Sequence, residues 1–155
     1  AEAGVAKMSL YNNFSSKEEL MRAYIETRHR EWVTLFRSRA EEAGSPAGRV
    51  LAVFDAYLDH ASLAYDHGFR GCGLLNAAAE LPAGSAGRET VRRHKEQAEQ
   101  ILAEELTHAG AEDPAGTAEH FSFLLEGAMS RAGLEGTPDR LRAARRLAVA
   151  MMETA

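Results

Sequence analysis

The chain has 155 residues, of which 45% are hydrophobic, and it carries a formal net charge of −5. This length suits one compact domain and part of a second. The acidic balance excludes a nucleic-acid-binding surface spread over the whole chain. The single cysteine excludes an internal disulfide framework and a cysteine-rich zinc site, and it is consistent with a reducing cytoplasm.

The charge is distributed unevenly along the chain. Up to Ala40 there are seven Lys and Arg residues against five Asp and Glu residues, a local balance of +2, so the acidity lies in the remainder. A basic end on an acidic body is typical of a DNA-binding head joined to a sensor domain.

Residues 3–20 predict a glycine turn, a short helix and the start of a longer helix. Leu10 and Phe14 are four residues apart and therefore share one face of the short helix. Ser16 and Glu19 form a capping-box pattern, in which each side chain bonds the backbone amide of the other residue. This order of elements is typical of a helix-turn-helix unit.

The run AGVAKMSLYNNFSSKEEL resembles the second half of the DNA-binding head of the tetracycline-repressor (TetR) family of transcription regulators. The resemblance is carried by the glycine turn, by Leu10-Tyr11-x-x-Phe14 and by Ser16-Lys17-Glu18-Glu19-Leu20. Ala6 departs from it, because the family usually has a small polar residue there. The chain also starts within the motif, so we expect a complete head to need on the order of 40 further residues upstream.

The same run predicts contacts with DNA. Asparagine can bond adenine in the major groove, serine is short enough to reach several base edges, and tyrosine, lysine and a helix N-terminus suit phosphate oxygens. The expected DNA-binding residues are Lys7, Ser9, Tyr11, Asn12, Asn13 and Lys17. The resemblance implies that Tyr11 and Lys17 contact phosphates. The alternative is an ordinary solvated helix–loop–helix corner.

The rest of the chain is predicted to be helical, because β-branched residues are sparse and no period-two alternation occurs. Long helices are expected over about 17–43, 47–67, 88–109, 114–134 and 138–155. Three breaks show a capping residue followed by proline, namely Ser45-Pro46, Asp113-Pro114 and Thr137-Pro138.

The predicted fold is an all-α helical bundle with three parts. They are the C-terminal half of a helix-turn-helix head (1–16), a connecting helix (17–43) and a TetR-like ligand-binding and dimerisation domain (44–155).

The run from Phe69 to Leu81 places a glycine-flanked Cys72 before a short Ala-rich helix. It is similar to a run in one branch of the TetR family, in some members of which the cysteine senses electrophiles or oxidants. A helix N-terminus and the neighbouring Arg70 would favour a reactive thiolate. The sequence favours the alternative, a small buried residue chosen for packing. Asn76 either orients a ligand or satisfies a buried carbonyl.

The TetR resemblance also implies a ligand pocket among the middle helices, although an aromatic stripe such as that of 47–67 is more often core. A lone helix histidine such as His94 could face this pocket, but it is more often solvated or bonded to a carbonyl. The candidate ligand-binding residues are Phe54, Tyr57, Leu58, Cys72, Asn76, His94, Phe121 and Leu125. The last two helices, apolar on more than one side, suggest a shared surface, and in the family such helices form a homodimer.

The sequence therefore predicts a ligand-responsive, DNA-binding transcriptional regulator, a repressor released from its operator by a small molecule or an electrophile. Its expected partners are operator DNA, a small-molecule effector and a second copy of the chain, with no membrane, and its expected location is the cytoplasm. The alternative is a helical ligand-binding or interaction module without a DNA role. No catalytic motif, metal-ligand spacing or phosphate-binding glycine loop occurs, so we expect neither an enzyme nor a bound metal or cofactor.

Overall fold

A computed structural model describes residues 14–62 and 68–154, and over these residues the chain forms six helices and no strand. The helices are α1 (Lys17–Glu42), α2 (Pro46–Ser62), α3 (Gly73–Ala79), α4 (Ala86–His108), α5 (Pro114–Glu135) and α6 (Asp139–Thr154). The predicted all-α fold is confirmed. The predicted turn and short helix before Phe14 lie outside the described residues, and so does the predicted extension of α2 over 63–67.

Side-chain caps start three of the helices where the sequence predicts them. Ser16, Ser45 and Asp113 each accept a hydrogen bond, 3.0–3.1 Å long, from the backbone amide three residues later. Each cap satisfies one of the amides that a helix start leaves without a partner. The boundaries of α1, α2 and α5 therefore follow from local chemistry.

Two capping predictions were wrong in detail. Glu19 does not bond the amide of Ser16; its Oε2 accepts from the amide and the hydroxyl of Ser15, at 2.7 and 2.5 Å, because Ser15 offers two donors. Thr137 does not cap α6 through its hydroxyl, which donates to the carboxylate of Asp139 at 3.1 Å, a stronger acceptor. α6 accordingly begins at Asp139, one residue after the predicted proline start.

The core is organised around α2, which packs against α1, α4 and α6. Seven of its side chains are buried, namely Val50, Ala52, Val53, Phe54, Ala56, Tyr57 and Ala61. α5 packs against α4 and α6, and the ring of Phe121 meets that of Phe54 edge to face at 5.6 Å. The short α3 packs against α1 and α4, at the side of the bundle that carries the site described below.

Three arginine–carboxylate pairs tie α2 to its neighbours. Each pair has two nitrogen–oxygen contacts of 2.7–3.0 Å, the geometry in which a guanidinium holds a carboxylate most specifically. The pairs are Arg39–Asp59 from α1, Arg49–Glu105 to α4 and Arg145–Asp55 from α6. They are partly exposed, so each contributes roughly 1 kcal/mol or less, and their main effect is to fix the helix register.

The segment before α3 lies directly on α5, at a contact between two glycines. Gly71 has a φ of +85°, a left-handed conformation that glycine adopts without strain. A Cβ atom added at Gly133 would lie 2.5 Å from the backbone nitrogen of Gly71 and 2.7 Å from the carbonyl carbon of Arg70. Only glycine at position 133 allows the two backbones to approach this closely.

Exposed apolar side chains are concentrated on the last two helices. Of the six large hydrophobic side chains exposed in the described residues, four belong to α5 and α6, namely Phe123, Leu134, Leu147 and Met151. Leu134 is 86% exposed and Phe123 is 64% exposed, which is unusual for such residues in a monomer. Among the helices described, none combines the length and the apolar character needed to cross a bilayer.

We expect Gly133→Ala to destabilise the protein by about 2 kcal/mol, because its methyl group would overlap backbone atoms that cannot rotate away. Urea unfolding at a fixed protein concentration measures the change. Gly44→Ala is the matched control, since a Cβ atom there meets nothing within 4 Å, and its effect should stay within about 0.5 kcal/mol. Equal stabilities for the two variants would contradict the close contact.

Candidate ligand-binding site

A cavity of about 540 Å³ opens between α1, α2, α3, α4 and α5. Its apolar and aromatic walls are formed by Met21, Tyr24, Trp32, Tyr57, Phe69, Leu74, Ala77 and Met129. Its polar lining consists of Arg28, His60, Arg70, Cys72, Asn76, Glu80 and His94. A concave, mostly apolar space of this size with a few convergent polar groups is typical of a small-molecule site.

Four of the eight candidate ligand-binding residues line this cavity, namely Tyr57, Cys72, Asn76 and His94. Phe54, Phe121 and Leu125 lie instead in the core, each no more than 2% exposed. Leu58 is half-buried and packs against that core. On α2, Tyr57 and Leu58 are adjacent in the chain and therefore point about 100° apart, whereas Phe54 is covered by the ring of Phe121. Ligand contact by the four lining residues stays a prediction.

The sequence reading missed the wall that α1 supplies. Met21, Tyr24, Arg28 and Trp32 recur at intervals of three and four residues and line the cavity along one helix face. The sequence places Tyr24 and Trp32 in the apolar stripe of this helix, but that pattern alone does not connect them to a site. A charged residue, Arg28, in the middle of an otherwise apolar stripe is the feature of the sequence that indicates this wall.

Arg28 and His60 are in direct contact at the cavity wall. Nη2 of Arg28 lies against Nε2 of His60, and because a guanidinium only donates, Nε2 accepts and the imidazole is neutral. Burial, followed by the charges of Arg28 and Lys95, lowers the pKa of His60 to about 4. Nη1 of Arg28 lies 2.5 Å from Oε2 of Glu31, an ion pair whose oxygen lies off the hydrogen-bonding direction.

His94 is 4% exposed and contacts another histidine, not the solvent or a carbonyl as a lone helix histidine more often does. Its Nδ1 lies against Nδ1 of His29, so one of these nitrogens donates and the other accepts. The ring of Trp32 meets that of His94 edge to face at 5.2 Å. Burial, followed by the charge of Lys95, lowers the pKa of His94 to about 3, so His94 is neutral near pH 7.

Cys72 is buried, as the packing interpretation expects, and it forms the N-cap position of α3 without a side-chain cap bond. Its Sγ lies 3.4 Å from Nζ of Lys95, which also lies 2.6 Å from Oε1 of Glu126. Lys95 lies in a charged run with Arg92, Glu96 and Glu99, a pattern typical of a solvated helix face, but its side chain is only 18% exposed. No short run of the sequence indicates a contact of this kind, because it joins residues from α3, α4 and α5.

The charges in this part of the site are compensated. Burial alone would lower the pKa of Lys95, but its interactions with Tyr57, Cys72 and Glu126 outweigh burial and raise that pKa. Burial raises the pKa of Tyr57 to about 12, so its hydroxyl is neutral near pH 7. The Glu126 carboxylate is therefore the counter-ion that keeps Lys95 charged at neutral pH.

Asn76 both bonds a backbone carbonyl and lines the cavity, so the two roles that the sequence suggests for it stay predictions. Its Nδ2 donates to the carbonyl oxygen of Arg70 at 3.1 Å, so its amide holds the segment before α3 in place. The side chain remains exposed and lines the cavity. Asn76 therefore shapes one wall of the site through the backbone.

Of the predicted DNA-binding residues, only Lys17 belongs to the described residues; Lys7, Ser9, Tyr11, Asn12 and Asn13 lie outside them. Lys17 is the first residue of α1 and is exposed, as a phosphate contact must be. Its Nζ lies 3.7 Å from Oε2 of Glu80, a residue that also lines the cavity.

No group of three or more His, Cys, Asp or Glu side chains suited to a metal ion occurs in the part of the chain that the structure describes. Several polar side chains around the cavity have partners in the contacts given above: Arg28 contacts His60, and Glu80, Cys72 and His94 contact Lys17, Lys95 and His29. The arrangement therefore offers binding contacts to a small organic molecule.

Comparison with known proteins gives a matching family and similar solved structures. The profile of the tetracyclin repressor-like C-terminal domain matches residues 46–148. A TetR-family transcriptional regulator from Streptomyces coelicolor superposes with a TM-score of 0.82 at 25% identity, over 96% of this chain and 73% of that one. A candidate TetR transcriptional regulator from Streptomyces avermitilis gives a TM-score of 0.66 at 26% identity, over 94% and 81%. No curated protein sequence matches the chain.

The two buried histidines should make the fold sensitive to acid. Their pKa values of about 4 and about 3 in the folded chain lie below the ordinary value of 6.5, so between these limits the unfolded chain binds more protons. The contribution of these two histidines to the free energy of unfolding is therefore fully present above about pH 6.5, and it falls as the pH decreases. At pH 5 each histidine should lower the free energy of unfolding by on the order of 2 kcal/mol relative to its value at pH 7.

Urea unfolding at pH 7 and pH 5 measures this loss. In His94→Gln, the difference between the two pH values should shrink by about 2 kcal/mol, because one of the two protonation sites is gone. His120→Gln, at an exposed position on α5, is the control and should leave the difference unchanged. A His94→Gln variant with the same pH dependence as the unmodified protein would refute the assignment.

Proposed function

The chain belongs to the tetracycline-repressor-like (TetR) family of transcriptional regulators, and on this basis we propose that it is a repressor whose operator affinity falls when a small molecule occupies the cavity. Residues 44–155 form the ligand-binding and dimerisation domain, 17–43 the connecting helix and 1–16 part of the DNA-binding head. The protein acts on operator DNA in the cytoplasm as a binding protein, not as an enzyme.

The observation that carries this proposal is the position of α1. One face of α1 lines the cavity through Met21, Tyr24, Arg28 and Trp32, while its first residue, Lys17, follows the predicted DNA-binding run. A ligand in the cavity therefore touches the same helix that would carry the head. Operator release requires the ligand to bind the released arrangement of α1 better than the DNA-bound one, since equal affinity for both would shift nothing.

A homodimer through α5 and α6 completes the proposal. These helices carry most of the exposed large apolar side chains of the described residues, which a partner copy would bury. A two-fold dimer also presents two heads to two operator half-sites, about 34 Å apart along the DNA.

The DNA-binding role is tested by titrating the full-length gene product with the DNA upstream of its own gene at several salt concentrations. Specific binding should weaken steeply as salt rises. Lys17→Ala should weaken binding to all sequences and reduce the salt slope by about 1, as loss of one phosphate contact does. Tyr11→Ala should weaken binding as well.

Arg37→Ala, at an exposed position in the last third of α1, is the matched control and should bind as the unmodified protein does. Equal, weak binding of every variant to every DNA would reject the repressor. It would support the alternative function, a helical ligand-binding module without a DNA role.

The dimer is tested by Phe123→Glu and Leu134→Glu, each of which places a charge on the exposed apolar face of α5. Either should raise the dissociation constant of the dimer by at least about 30-fold, since burial of an unpaired charge costs 2 kcal/mol or more. Sedimentation equilibrium measures the constant. Leu75→Glu changes an equally apolar exposed residue on α3 and should leave the dimer intact. Dissociation by Leu75→Glu alone would place the interface elsewhere.

A further inference from the structure

The start of α1 and the end of α3 meet at an ion pair. Nζ of Lys17 lies 3.7 Å from Oε2 of Glu80. The two side chains are 72% and 66% exposed, so the pair can separate without leaving a buried charge behind. An exposed pair of this kind changes an equilibrium constant by up to about fivefold, and salt weakens it further.

The two partners of this pair are held to the bundle with different firmness. Glu80 is the C-cap of α3, and Nη1 of Arg88 ties the same end of α3 to α4 by donating to the carbonyl oxygen of Ala78 at 3.1 Å. On α1, by contrast, the first buried side chain is that of Ile25, about two turns after Lys17. Glu80 is therefore the fixed partner, and Lys17 belongs to the less firmly held end of α1.

In the proposed function the ammonium group of Lys17 contacts a DNA phosphate. While Glu80 holds that ammonium group, a phosphate that approaches Lys17 also approaches a carboxylate of the same sign of charge. DNA binding therefore either breaks the ion pair or brings two negative charges together. Both outcomes cost free energy, so the carboxylate of Glu80 opposes the phosphate contact.

We propose that the ion pair between Lys17 and Glu80 is an autoinhibitory contact, in which Glu80 competes with DNA phosphates for the Lys17 ammonium group. The inference rests on the proposed function, because it assigns a regulatory contact to the DNA-binding end of α1. Glu80 also lines the cavity, four residues after Asn76. A ligand that contacts the Glu80 carboxylate changes how strongly Glu80 holds Lys17, so the pair connects the cavity to the DNA-binding end of α1.

A purely structural role for the pair has different consequences. If the pair only held α1 against α3, loss of either charge would have the same effect on DNA binding, because either loss breaks the same contact. Competition has opposite effects. Loss of the Lys17 charge removes a phosphate contact, whereas loss of the Glu80 charge removes the competitor of that phosphate.

Titration of the full-length gene product with the DNA upstream of its own gene, and with an unrelated duplex of the same length, tests the proposal. Glu80→Gln, which keeps the shape of an exposed side chain, should raise the affinity for both duplexes about twofold to fivefold at low salt, because phosphate contacts carry no sequence information. The gain should shrink as salt rises. In the Lys17→Ala background, Glu80→Gln should lose most of this effect, because the group for which it competes is absent.

Glu18→Gln is the matched control, because it removes an equal charge from the first turn of α1 at a side chain that points about 100° away from Lys17. Any gain in affinity from Glu18→Gln reflects the overall charge of this end of the protein. That gain should therefore be equal in the unmodified and the Lys17→Ala backgrounds.

Unchanged or weaker DNA binding by Glu80→Gln, or an equal gain from it in the two backgrounds, would overturn the inference and leave the repressor standing. Binding of neither duplex by the unmodified protein would refute the repressor and the inference with it.

Discussion

The fold depends on the burial of α2. Val50, Val53 and Phe54 are at most 1% exposed, and α1, α4 and α6 all cover this helix. Burial of such a side chain contributes roughly 1.5–3 kcal/mol, more than a partly exposed ion pair does. The apolar face of α2 therefore determines which helices surround it. The bidentate arginine pairs that reach Asp55 and Asp59 then determine how far each neighbour is shifted along it.

The same helix ends at the cavity, where apolar packing gives way to paired polar groups. Lys95 and Glu126 neutralise each other, Arg28 is held by Glu31, and burial keeps the histidines uncharged. Each pairing avoids the free-energy cost of an isolated buried charge. Polar and charged side chains can therefore lie beside the aromatic side chains of the cavity. A ligand that enters this space has to exchange contacts with α1, and in this way occupancy can change the position of that helix.

The sequence was sufficient for the helices, and four of the eight residues that it suggests for a ligand site line the cavity. Capping residues such as Ser16 and Asp113 act on amides three positions away, so they are visible in a short run of letters. The pairing of Lys95 with Cys72 and Glu126 joins three helices, and nothing in the local pattern distinguishes Lys95 from a solvated lysine. Phe54 and Tyr57 look equally suited to a pocket, and only the packing partners decide that Phe54 belongs to the core.

The glycine contact between the segment before α3 and α5 has a consequence for evolution. Because the backbones at positions 71 and 133 nearly touch, neither position is free to vary on its own. A relative that carries a side chain at position 133 must have withdrawn or shortened the segment at position 71, and that same segment leads into Cys72 and Asn76. A substitution at position 133 of α5 would therefore be accompanied by changes in the cavity wall. Lineages that adapt to a new effector should change the two sites together.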